Sequence, residues 1–200
     1  MPTLAKLLRR NRAWAERVER EDPGFFHRLS DHQEPDHLWI GCSDSRVPAG
    51  QILDLKPGEV FEHRNIGNIV APGDPNFLAV LHYAVAVLRV GHIMVAGHYG
   101  CGGMRTALEQ PGGGPVAEWL GDARALASRH AAELDAMPPA ARADRLSELN
   151  VLAQAENLRR CAILRQAWSR GQPIEVHAWI YSLDDGRLRP LREVIRGPAD

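Results

Sequence analysis

Two short segments hold the residues whose types and spacing could do chemistry. One is Cys42-Ser43-Asp44-Ser45-Arg46, the other His98-Tyr99-Gly100-Cys101. Two thiolate sulfurs with one imidazole nitrogen suit zinc best among the common metals. Three protein ligands with one position left open is the arrangement of a catalytic zinc, and four closed ligands that of a structural or resting one. Asp44 keeps both available, because a carboxylate two residues from Cys42 can swing onto the metal or off it. The guanidinium of Arg46, two residues further on, can grip that carboxylate through two donors, a fork that lysine lacks. Each feature alone has a plainer reading. Cysteine is common packing material, and an Asp–Arg pair at this spacing is often a surface ion pair. Cys161, with Ile163 and Leu164 in an apolar helical stretch, reads as core.

The two segments meet only if they leave neighbouring strands at one sheet edge, where open α/β sheets place their ligands. Leu38-Trp39-Ile40-Gly41-Cys42 predicts a buried strand running into a loop, and His92 to Ala96 a second strand just before His98. Residues 59–64 and 174–183 read as further strands, with Asp184-Asp185-Gly186 as a turn before a short edge strand over 187–191. Helices are expected over 3–20, over 77–90 (apolar on nearly every side, hence buried), from near Met104, and over 116–134 and 142–169. Gln110 to Pro115 reads as a loop. The alternation predicts an α/β fold: a mostly parallel central sheet of about four strands plus an antiparallel edge strand, flanked by helices, with an N-terminal helical arm.

With 200 residues, 44% of them hydrophobic, the chain can form one domain with a real core. A formal net charge of -1 removes the global electrostatic case for nucleic acid or an anionic membrane. Three cysteines do not make a disulfide framework. Lys6, Arg9, Arg10 and Arg12 interrupt the N-terminal apolar runs, unlike a signal peptide, and no segment approaches the ~20 apolar residues of a membrane span. The expected setting is cytoplasmic, where thiols stay free to bind metal.

CSDSR at 42–46 followed by HYGCGG at 98–103 resembles the β-class carbonic anhydrases. HRNIGN at 63–68, the Trp39-Ile40-Gly41 lead-in, ELN at 148–150 and HAWIY at 177–181 extend the resemblance over residues 10–190. It implies one such domain over residues 1–200, with residues 1–22 as an arm that joins subunits into a homodimer or homotetramer. It also implies Zn2+ as cofactor and reversible hydration of CO2 to bicarbonate and a proton, by attack of zinc-bound hydroxide. Zinc lowers the pKa of bound water from about 15.7 to about 7 in a three-histidine carbonic anhydrase, a magnitude that belongs to that different site. By resemblance, Cys42, His98 and Cys101 hold zinc throughout. Asp44 is a fourth ligand at rest; at work it pairs with Arg46 and orients the hydroxide. Gln33, from a neighbouring subunit or across the arm, and the Gly102 backbone N–H are implied donors to substrate. Phe61, Ile66 and Tyr83 are candidates for an apolar wall, and His32, His37, His63 and His82 for proton release.

Some β-class members switch: bicarbonate in a non-catalytic pocket of Trp, Arg and Tyr favours aspartate on zinc. Trp39, Arg64 and Tyr181 match that pocket, so the chain resembles the bacterial type II form. It departs at Gly50, where such relatives carry an acid after Val-Pro-Ala. The same scaffold also hydrolyses CS2 or carbonyl sulfide in some relatives. A zinc-bound bicarbonate sensor is another reading, against which the intact Asp44–Arg46 pair speaks.

Overall fold

The computed structural model describes residues 3–109 and 113–198. They fall into two compact units that divide between Glu34 and Pro35. In the first, helix α1 (Leu4–Glu21) opens on Thr3, whose hydroxyl accepts a hydrogen bond from the Lys6 N–H. Gly24, at φ 80, turns the chain into α2 (Phe25–Asp31). Trp14 meets Phe26 edge-on at 5.6 Å between ring centres. No residue of α1 is buried, and Leu4 is 80% exposed, so its apolar stripe is uncovered within this unit among the described residues.

The second unit is built around one sheet. Its elements in chain order are β1 (His37–Cys42), α3 (Ala49–Ile52), β2 (Val60–Asn65), α4 (Pro75–His82), β3 (His92–His98), α5 (Gly102–Glu109), α6 (Pro115–Trp119), α7 (Gly121–Arg129), α8 (Ala131–Asp135), α9 (Pro139–Arg160), α10 (Ala162–Ser169), β4 (Glu175–Tyr181) and β5 (Leu188–Pro190). The strand order is β2-β1-β3-β4-β5, with β1 to β4 parallel and β5 antiparallel to β4, as the alternation of strands and helices predicts.

Both sheet faces are covered, which explains why β1 and β3 are buried along their length after the first residue. On one face Leu38, Ile40, Ile93 and Val95 pack with Phe77 and Leu81 of α4 and with Val151 and Leu158 of α9. On the other, Trp39, Met94 and Ala96 pack with Val47 and Ala49. Gly97 allows α9 to come close, since a Cβ there would stand 2.5 Å from the Val151 side chain. Among the described residues no helix is long and apolar enough to cross a membrane.

The structure corrects three helix expectations. The stretch 77–90 is α4 followed by a wider π-type turn over Tyr83–Val87, and it is not buried all round: Phe77, Leu81, Ala84 and Val85 face the core, while Tyr83 and Val87 are 42% and 55% exposed. An apolar helix shows that it could be buried, not that its own chain covers both sides. The stretch 116–134 is broken into α6, α7 and α8, and 142–169 into α9 and α10. Cys161 is the break in the latter, with ψ 132, so it is not mid-helix, although it is core as expected. Residues 110–112 of the expected 110–115 loop lie outside the described residues, and Pro115 already opens α6.

A buried polar chain ties α9 to the loop after β2. The Asn150 side chain donates to the Gly67 carbonyl at 2.8 Å, Gln154 donates to Asn150, and the Val70 N–H donates to Gln154. Asn150→Ala leaves two buried polar groups unpaired and is expected to destabilise the fold by about 1–3 kcal/mol. Urea unfolding should show a lower midpoint at unchanged slope; an unchanged midpoint would remove this loop-anchoring role.

Candidate metal centre

β1 and β3 are neighbours in parallel register, so Cys42 and His98 emerge at the same sheet edge, and one turn of chain returns Cys101 to them. The donor atoms of Cys42, His98 and Cys101 all lie within 4.8 Å of one another, with all three residues buried. The two sulfurs are 4.0 Å apart. His98 Nδ1 is 2.9 Å from the Tyr99 carbonyl, which can only accept, so Nδ1 carries the proton and Nε2 presents its lone pair. That Nε2 is buried with no hydrogen-bond partner among the described residues. A buried lone pair beside two buried sulfurs fits a tetrahedral, sulfur-rich zinc site and has no other evident satisfaction.

The sulfurs are electrostatically prepared. The Cys42 thiol is held well below its ordinary pKa, first by the hydrogen bond from Cys101 and then by the Gly67 and Asp44 N–H groups, with burial opposing. Cys101 is pushed up by the same shared proton and by burial. N–H groups of Gly103 and Met104, in the first turn of α5, favour its thiolate.

Asp44 is clamped by Arg46. Its Oδ1 accepts from the Arg46 N–H and Nε, each at 2.9 Å, and its Oδ2 accepts from Nη2 at 2.7 Å. Arg46 thereby holds the carboxyl well below the usual carboxylate range, against the opposing effect of burial. The same Oδ2 lies 3.8 Å from His98 Nε2, so the carboxylate borders the donor cluster while paired with Arg46.

The loops that present these groups are braced from behind. Arg64 donates to the Cys42 carbonyl at 3.0 Å and to the Asp44 carbonyl at 2.7 Å. The Gly100 N–H donates to Asp144 at 2.7 Å, and the Tyr99 hydroxyl donates to Glu148 at 2.7 Å. Burial first, then Glu148, pushes Tyr99 up to about 12. Sequence reasoning missed Asp144 and the backbone role of Arg64. The signal for Asp144 was its place four residues before Glu148, on the same face of α9.

The remaining expected residues divide. Gly102 is exposed as the first residue of α5. Trp39, Arg64 and Tyr181 share one sheet face by strand register and alternation. The Trp39 indole N–H is fully buried and has no acceptor among the described residues. Ile66 stands beside Gly103, whereas Phe61 and Tyr83 pair with each other at 5.8 Å near the start of β2, the end away from Cys42. His63 is buried against Phe77, and burial lowers its pKa. His37 stacks on His92 at the opposite end of the sheet, and His32 and His82 are exposed. Gln33 is exposed in the N-terminal unit, after α2.

A family model described as carbonic anhydrase matches residues 37–188. The carbonic anhydrase of Emericella nidulans is 44% identical over 188 residues, 93% of this chain and 82% of that protein. That of Pseudomonas aeruginosa is 40% identical over 174 residues, 83% and 77% of the two chains. Among solved structures, the Coccomyxa β-carbonic anhydrase in complex with acetazolamide superposes with a TM-score of 0.95 at 37% identity, covering 98% of this chain and 90% of that one. A tetrameric β-carbonic anhydrase from Sordaria macrospora gives 0.90 at 42% identity, covering 94% and 96%.

Proposed function

This chain belongs to the β-class carbonic anhydrases, and from that premise we propose that Cys42, His98 and Cys101 hold the zinc on which CO2 is hydrated, with Asp44 and Arg46 positioning the attacking oxygen. The observation that carries the assignment is the unpartnered, buried Nε2 of His98 beside the two sulfurs. When bound, zinc supplies a Lewis acid that makes hydroxide available near neutral pH. Asp44, ionised and fixed by the Arg46 fork, accepts a hydrogen bond from the attacking oxygen and turns its lone pair toward the CO2 carbon. The Gly102 N–H donates to a substrate oxygen as charge develops there. One proton leaves for each bicarbonate formed. Stopped-flow CO2 hydration across neutral and mildly alkaline pH, with zinc measured on the same sample, tests this reading. Activity that survives complete zinc removal overturns it, and parallel assays with CS2 and carbonyl sulfide exclude or reveal the other gases as substrates.

The bicarbonate-regulated, type II-like behaviour extends the same reading. The unsatisfied Trp39 N–H is a donor in waiting for an oxyanion, with Tyr181 on the same face. Arg64 supplies the link to the metal: it holds the Cys42 and Asp44 carbonyls, so an anion that draws Arg64 away loosens the loop that keeps Asp44 against Arg46. Asp44 is then free to become the fourth ligand. Gly50 offers no carboxylate to compete for Arg64. Trp39→Phe and Tyr181→Phe each remove one neutral donor and are expected to weaken bicarbonate inhibition by about 2- to 10-fold. Arg64→Ala should abolish it while also lowering activity. Unchanged inhibition in all three variants overturns the regulatory site.

The uncovered leucine stripe of α1 and the exposed Tyr83 and Val87 support self-association into a homodimer or homotetramer through the arm. The free thiols of the site fit a reducing compartment such as the cytoplasm.

A further inference from the structure

A second group of metal donors comes together at the other end of the sheet. His92 opens β3 and Glu175 opens β4, and parallel register sets them side by side. Strand alternation returns His177 to the same face, two residues on. His92 Nδ1 is 3.2 Å from His177 Nε2 and 3.5 Å from Glu175 Oε2, and His177 Nε2 is 3.7 Å from the same oxygen. A tetrahedral zinc with bonds of about 2.0–2.1 Å sets its ligand atoms about 3.3–3.4 Å apart. The observed triangle matches that spacing to within a few tenths of an ångström.

The surroundings orient each donor. Asp36 Oδ2 lies 3.7 Å from His92 Nε2, and Asp36 is itself held by the Gly91 N–H at 3.0 Å. A carboxylate near the far nitrogen favours a proton there electrostatically, which leaves the Nδ1 lone pair for the ion. The His37 ring stacks on His92 at 5.6 Å, with the planes 20° apart. Arg196 donates to Glu175 Oε1 at 2.7 Å, which leaves Oε2 for a ligand role. Burial, then the neighbouring His92, lowers the pKa of His177 and so favours its neutral, ligating form. The side chains of His92, Glu175 and His177 are 37%, 29% and 13% exposed, so an ion can enter from solvent.

We propose that His92, Glu175 and His177 form a second binding site for a divalent ion of the zinc type. His92 and His98 lie at opposite ends of seven-residue β3, so at ~3.3 Å per residue this site is about 20 Å from the catalytic centre. It does not depend on the catalytic assignment.

Equilibrium dialysis of the holoenzyme, with its catalytic zinc in place, against free Zn2+ up to submillimolar concentration tests the site. Bound metal is counted by mass spectrometry. The wild type should take up a second equivalent per chain. His92→Ala and His177→Ala should each weaken that equivalent by more than about tenfold, and Asp36→Asn by about tenfold. Glu175→Gln, which keeps the side-chain shape, should weaken it as well. In every variant the first equivalent and CO2 hydration should persist. A wild type that stops at one equivalent, or a second equivalent equally tight in all four variants, overturns the proposal. Loss of the first equivalent in the untouched wild type would instead strike the catalytic reading.

Discussion

Cys42→Ser and His98→Ala are each expected to leave the protein without zinc and to bring CO2 hydration down to the uncatalysed rate. Three donor atoms converge within 4.8 Å of one another, all on buried residues. Cys42 is held toward its thiolate by hydrogen bonds, and serine has no comparable anion to offer near neutral pH. His98 contributes a buried lone pair that has no partner among the described residues. Removing either ligand leaves two of the three permanent donors, with Asp44 held by Arg46, fewer than the three protein ligands of a catalytic zinc. The metal-supplied nucleophile is worth several kcal/mol of barrier, so kcat/KM should fall by at least about 10³-fold. Zinc content and hydration rate, measured on one sample whose fold is verified by circular dichroism, check the expectation together. A variant that keeps full zinc and full activity would take that residue out of the ligand set.

The Asp44–Arg46 pair should behave differently. Asp44→Asn and Arg46→Ala are expected to retain zinc yet lose about 10²–10³ in kcat, the range seen when one transition-state hydrogen-bonding group is removed. Arg46→Lys should fall between them and the wild type, because lysine keeps the charge and loses the two-pronged grip. The pH dependence has a definite sign. The folded-state pKa of Asp44 lies below its ordinary value, so the stabilisation from the ionised pair is present above the ordinary carboxylate pKa. It is lost only as pH falls through the depressed value. In Arg46→Ala that pKa moves back up. The stability difference from wild type should therefore be widest near neutrality and shrink in strong acid, as read by urea unfolding over a pH series. Solvent exposure of Arg46 keeps this stability effect small, whereas the expected catalytic effect is large because the proposed mechanism has Asp44 accept a hydrogen bond from the attacking oxygen. A zinc-replete Arg46→Ala enzyme with undiminished kcat would remove the pair from the mechanism.

Much of the candidate metal centre is legible in the chain because its information is local. Cys42, Asp44 and Arg46 are near neighbours, as are His98 and Cys101, and donor chemistry is a property of residue type. The apolar runs before each segment identified strands, and strands alternating with helices implied a parallel sheet whose strand ends meet at one edge. Other features depend on which chain segments become neighbours. The break at Cys161 is a change of ψ inside a stretch whose apolar pattern continues on both sides. The exposed outer side of Tyr83 and Val87 follows from what packs on α4, not from its own hydrophobicity. Arg64, expected in an anion pocket, braces the Cys42–Asp44 loop, because register places it opposite Gly41, one residue before Cys42. His92 and His177 carry no motif that links them, and only the pairing of β3 with β4 brings their nitrogens to 3.2 Å. Residue type and local periodicity determine what a side chain can do. Strand order and register, set by hydrogen bonds between distant segments and by which faces are buried, decide what it does it to.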